Sequence, residues 1–333
     1  MLINPAIIAL VSGSLLSCMV LIYASTIGIR ILRGWDITSG SEQQLVFERK
    51  TYLISTVLGA VMAYEVFSLL LFVYTADHIH GLFVGAMCAA GTLNVNDYGY
   101  PTLNLKILNA VVCGIWIIVN HTDNRGFDYP LIRPKYKFLL AITAMVLLES
   151  FLQWQYLKGL NPNVITSCCG TLFSEEAETI AGEMAHLPSY STKVLFYSSL
   201  LLTLRVGIHF TITGRAARIF SYLSFWFFLV SIISTIAFVS VYFYELPTHH
   251  CPFCLLQREY GYIGYPLYLS LFGAAILGGG VGVIERFNYK ESLREIIPGI
   301  QKGLCLTAMI GFLIFAVIST YPILFSDFIL EGY

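Results

Sequence analysis

Residues 221–244 read SYLSFWFFLVSIISTIAFVSVYFY. The stretch carries no charged side chain and is built from aromatic, aliphatic and small residues. About 20 apolar residues suffice to cross the hydrocarbon core of a bilayer as a helix. A helix also satisfies its backbone N–H and C=O groups internally, which lipid cannot do for them. The stretch therefore reads as a transmembrane helix. Working outward from it, seven further runs of the same kind appear, at 5–29, 51–76, 103–121, 137–157, 192–212, 262–284 and 303–323. The whole chain of 333 residues is 57% hydrophobic and 12% charged. A soluble domain averages about 25% charged residues. The expected fold is an all-α polytopic membrane protein with about eight transmembrane helices. The net charge of −1 says nothing about nucleic acid, and no basic cluster suggests such a partner. Four residues precede the first run and none is Lys or Arg, so that run reads as a true span rather than a secretory signal.

Directly after the quoted stretch comes the densest chemistry of the chain, His249-His250-Cys251-Pro252-Phe253-Cys254-Leu255-Leu256-Gln257-Arg258. Two thiols at this spacing can close a reversible disulfide or clip a metal. Pro252 suits the first turn of a helix, where its missing N–H costs nothing. The expectation is that the pair opens the next span and that the helix N-terminus favours the Cys251 thiolate. The metal alternative uses the same thiols with His249 and His250 as further ligands. A permanent structural disulfide is the third reading.

Orientation follows from the Lys/Arg bias of short loops. One side carries fourteen basic residues, among them Arg30, Arg49, Arg125, Lys135, Arg215, Arg286 and Lys302; the other carries Lys106, Lys158, Lys193 and Arg258. The rule puts both termini on the non-cytoplasmic side, the periplasm of a bacterial inner membrane. It also puts Cys88, Cys168, Cys169, Cys251 and Cys254 there, in an oxidising compartment. Cys18, Cys113 and Cys305 fall within spans and read as packing residues.

The chain seen in order repeats a signature. His78-Ile79-His80, Cys88 and Asp97-Tyr98-Gly99-Tyr100 follow the second span; His249-His250, Cys251, Cys254 and Glu259-Tyr260-Gly261-Tyr262 follow the sixth. Arg30-Ile31-Leu32-Arg33 and Arg215-Ala216-Ala217-Arg218 form a second matched pair. Parallel repeats are a known way to build membrane proteins. The reading is two parallel four-helix units, 1–158 and 192–333, joined by an outer loop at 159–191 that carries Cys168-Cys169 and an acidic run.

Cys251-Pro252-Phe253-Cys254 followed by Arg258 resembles the DsbB family of disulfide-generating inner-membrane proteins. The related vitamin K epoxide reductase family has a similar four-helix bundle, with shuttle cysteines in a loop upstream of its pair, as Cys168 and Cys169 are here. The resemblance covers eight residues strictly and the last four spans loosely. It implies a thiol–disulfide oxidoreductase that passes electrons between a periplasmic thiol protein and membrane quinone. Cys251, Cys254, Cys168 and Cys169 would be the redox residues, and Arg258 would help bind the quinone. The departures are eight spans instead of four and the lack of a second outer cysteine pair after the motif.

Two rival functions remain open at this point. One is a copper or mercury carrier using His249, His250, Cys251 and Cys254. The other is a non-catalytic subunit, set among other membrane subunits of a respiratory or transport complex, whose disulfides brace its outer loops. Glu65, Glu149, Arg205 and His209 lie inside spans, where ionisable groups are costly and face the bundle interior. The functional reading of these four is a proton or quinone-headgroup path; the favoured expectation is interhelical ion pairing, such as Glu149 with Arg205. His78 and His80 are candidate metal ligands, and His121 with His209 a candidate pair for a b-type haem.

Overall fold

The computed structural model describes residues 4–166 and 180–330. Among these, eight helices are long and apolar enough to cross a membrane, and there is no β-strand. They are α1 (Pro5–Gly34), α2 (Glu42–His78), α3 (Gly99–Asp123), α4 (Ile132–Lys158), α5 (Ser189–Thr213), α6 (Ala217–Tyr244), α7 (Gly264–Glu285) and α8 (Ile296–Phe325). The chain is an all-α multi-pass membrane protein.

Local chemistry explains several helix ends. α1 opens with Pro5 at its first position and the Asn4 side chain accepting from the Ala6 N–H at 2.9 Å, which satisfies one of the orphan N–H groups of a helix start. α5 closes on Gly214 at φ 68°, a left-handed conformation that glycine adopts without strain. α2 and α8 begin nine and seven residues before the apolar runs that reveal them: α2 stays helical through the charged segment 42–50, and α8 through 296–302, which is mostly apolar but holds Pro298, Gly299 and Gln301.

Two compact units result. One comprises Met1–Val73, Asn96–Leu160 and Val283–Gln301. In it α1 and α3 both pack on α4, around a core that includes Leu21, Trp116, Tyr136 and Leu139. The other comprises Tyr74–Val95, Asn161–Gly282 and Lys302–Tyr333. Here α5 packs on α6, and the core is aromatic: Phe227 is in ring contact with Phe196, Phe312 and Phe315, and Phe196 also with Phe315.

Two expectations about charge need correction. Lys106 is not a loop residue: it lies inside α3 and is fully buried. Glu149 pairs with Lys106 at 2.6 Å, not with Arg205. Arg205 and His209 are exposed on α5, and His121 is exposed on α3. Lys135 is likewise buried, inside α4 and paired with Asp123, so the Lys/Arg counts of the two sides become thirteen, 14 − 1, and three, 4 − 1.

Candidate functional site: a three-thiol cluster

The second unit brings together two loops. The first runs from the end of α2 to residue 95. It contains a 3₁₀ turn at His80–Leu82 and a short helix, Ala89–Leu93, that is wholly buried. The second joins α6 to α7 and carries Cys251 and Cys254. It is bracketed by Glu245 (φ 53°) and Tyr262 (φ 57°), two non-glycine residues in the left-handed region. Such conformations persist only where surrounding contacts hold them.

The expected helix start at Pro252 is not there. Cys254–Leu256 and Arg258–Tyr260 form separate 3₁₀ turns with Gln257 extended between them, and α7 begins only at Gly264. Pro247 and Pro252 lack N–H donors, and the left-handed Glu245 has already turned the chain out of α6. The Cys251 thiol therefore has no helix N-terminus to stabilise a thiolate. Its hydrogen bond with Cys254, together with burial, instead holds it well above the ordinary thiol range.

Specific bonds fix the cysteine loop. Tyr244 Oη donates to the Cys251 carbonyl at 2.6 Å and Tyr268 Oη to the Pro252 carbonyl at 2.7 Å. Gly264 lets α7 press against the loop, since a Cβ there would meet the Leu255 backbone at 2.9 Å. The first loop is held as firmly. Asp77 Oδ1 accepts from the Ala89 N–H at 3.2 Å and from Gln257 Nε2 at 3.3 Å. Gln257 Nε2 also donates to the Met87 carbonyl at 2.7 Å, tying the two loops together. Gly85, at φ 84°, lies so close to the Thr166 carbonyl that a Cβ would approach it to 2.2 Å.

These contacts set three sulfurs side by side. Cys88 Sγ and Cys251 Sγ are 3.5 Å apart. The Sγ atoms of Cys88, Cys251 and Cys254 all lie within 4.8 Å of one another, and all three residues are buried. His249 Nε2 is 3.4 Å from Cys254 Sγ, and its ring stands edge-on to Tyr244. Burial, with a further push from His250, holds the His249 pKa below its usual 6.5. The imidazole is thus neutral at pH 7 and can accept the Cys254 proton.

The other sequence candidates fall elsewhere. His250 points away from the sulfurs. Its Nδ1 donates at 3.0 Å to the Ile236 carbonyl, in a π-helical turn of α6 over Thr235–Val239, and its ring meets His186. A π-turn breaks the i→i−4 ladder and leaves carbonyls for other partners. His78 stacks on Tyr74, and His80 donates to the Asp77 carbonyl. Arg258 is exposed on its own 3₁₀ turn. Cys168 and Cys169 lie outside the described residues. Cys18 donates to Ser150 and Cys305 to the Gly207 carbonyl, and Cys113 is buried in the first unit.

Cys88 is the site residue that the CPFC motif does not reveal. Two signals point to it: it follows an even-numbered span, as Cys251 and Cys254 do, and it occupies the matching place in the repeated signature. No family model, curated protein or solved structure matches the chain.

Proposed function

We propose that this chain is an inner-membrane thiol–disulfide oxidoreductase whose working group is the cluster of Cys88, Cys251 and Cys254. The observation that carries the reading is the contact of three thiols with one another and with a neutral imidazole. Disulfide exchange proceeds when a thiolate attacks a sulfur along the S–S axis, so sulfurs already in contact can pass a disulfide without large motion. His249 takes the proton of Cys254, and the resulting thiolate attacks Cys251 of a Cys88–Cys251 disulfide, forming the Cys251–Cys254 bond and releasing Cys88 as the thiolate. Cys251, held as a thiol, is the central sulfur, adjacent to both Cys88 and Cys254.

In the oxidising direction, a disulfide within the trio accepts two electrons from a dithiol protein on the outer side of the membrane. One S–S bond forms in that partner and one breaks in the trio. Quinone, in this proposal, is the oxidant that restores the disulfide, taking two electrons and two protons to become quinol. The assignment of quinone and of Arg258 as its contact rests on the resemblance of Cys251-Pro252-Phe253-Cys254-Leu255-Leu256-Gln257-Arg258 to the DsbB family. Arg258 is exposed and thus able to meet a ligand arriving from the lipid.

The test is quinone-dependent oxidation of a small reduced dithiol by the chain reconstituted in liposomes. Cys251→Ser should abolish it, and Cys88→Ser should slow it at least tenfold. Unchanged rates in both variants would reject the proposal.

One observation favours a second reading. Three buried sulfurs within 4.8 Å also suit a soft ion such as Cu(I) or Hg(II). That reading requires three thiols to lose their protons on binding, which the raised pKa of Cys251 opposes. A stoichiometric metal ion in the purified chain would favour it.

A further inference from the structure

The first unit contains an ionisable cluster that the thiol chemistry does not use. Lys106 Nζ donates to Glu149 Oε1 at 2.6 Å and to Ser68 Oγ at 3.2 Å. Asn109 Nδ2 donates to Glu149 Oε2 at 2.7 Å. Both oxygens of Glu149 are taken, and Lys106 cancels its charge. Glu65 is left over. It lies midway along α2, only 2% exposed, and its Oε1 has no hydrogen-bond partner. Asn109 Oδ1, in the same cluster and 1% exposed, likewise has none.

Titratable groups on four helices interact electrostatically with Glu65. They are Cys18 on α1, Tyr64 on α2 itself, Lys106 and Cys113 on α3, and Glu149 on α4. Lys106 is the one cation among them. Two carboxylates against one ammonium leave an uncompensated negative charge in the hydrocarbon region, which is strongly unfavourable. A bound cation or a proton would remove it. The ammonium of Lys106 repels a metal ion at this spot, whereas a proton binds covalently to the unpartnered carboxyl oxygen. A neutral carboxyl also supplies a donor, which unpartnered acceptors such as Asn109 Oδ1 require.

We propose that Glu65 is a proton-binding carboxyl that takes up and releases one proton per chain inside the membrane. The Lys106–Glu149 pair is its fixed neighbour. When the proton leaves, Lys106 becomes the shared cation of two carboxylates, so the charged state is reachable without an ion entering. This inference is independent of the cysteine cluster.

The experiment is infrared difference spectroscopy of the full chain in lipid as pH is stepped from acid to alkaline. A buried carboxylic-acid C=O band should be present near neutral pH, fade at alkaline pH, and vanish in Glu65→Gln. Glu65→Asp should shift the band in frequency, which serves if Glu65→Gln fails to fold. A wild-type spectrum without the band, a band that Glu65→Gln leaves intact, or one that Glu65→Asp leaves unmoved would overturn the proposal. A band erased by adding sodium at constant pH would assign the site to an alkali ion and overturn it as well.

Discussion

At the scale of the residue, the proposed exchange chemistry turns on His249. Its imidazole meets the Cys254 thiol, and its pKa is depressed by burial and by His250. A depressed histidine stays neutral at pH 7 and takes a proton only under more acidic conditions. Acidification through that lowered value removes the base, so the reaction of Cys254 with a disulfide reagent should slow on the acid side. General-base assistance is worth on the order of 10²-fold. His249→Ala should therefore lower the neutral-pH rate by about that factor and flatten its acid limb; stopped-flow exchange kinetics would show this. The same depression has a stability sign. The unfolded chain binds this proton more readily than the folded one, so the contribution is present above the ordinary value of 6.5 and lost as pH falls. A rate profile that is identical in His249→Ala would remove the imidazole from the chemistry.

At the scale of the element, helix α3 shows what the sequence conceals. Lys106 lies two turns into the helix, where apolar length alone places the span boundary just before it. Its real partner, Glu149 on α4, is set by which faces of two helices meet, and that is not written in either segment. A fully buried pair is costly to break because the survivor remains charged in a low-dielectric interior. Lys106→Met should destabilise the chain by about 3–5 kcal/mol. Lys106→Met combined with Glu149→Gln should recover most of that loss, as read from thermal unfolding in detergent. Equal melting of the single and double variants would mean that the surviving Glu149 charge is not the source of the loss. The cysteine loop teaches the same lesson. Pro252 looks like a helix start when only its neighbours are considered. In the fold, Glu245 has turned the chain, Tyr244 and Tyr268 hold its carbonyls, and the helix waits until Gly264.

At the scale of the whole molecule, the eight spans are legible in the sequence because each is a length of apolar residues, and length and polarity are local properties. Their ends differ from the apolar runs where the helix continues beyond them, through a charged segment at Glu42 and through Pro298, Gly299 and Gln301 after Ile296. The thiol cluster is half legible. Cys251 and Cys254 announce themselves by spacing, while Cys88, 163 residues away from Cys251, joins them only through folding. Span parity narrows the search to one side of the membrane but does not choose a partner. His250 shows the opposite case: it reads as a ligand beside Cys251, yet the π-turn of α6 offers it a carbonyl instead.

The central claim is that the three sulfurs exchange disulfides among themselves. Its most direct measurement is disulfide mapping by mass spectrometry on the chain taken from oxidised membranes, with thiols acid-quenched and alkylated before digestion. The account predicts Cys251 bonded to Cys88 in part of the population and to Cys254 in the rest, both converting to thiols when a reduced dithiol is added. Recovery of Cys88, Cys251 and Cys254 as alkylated thiols under every redox condition would contradict it.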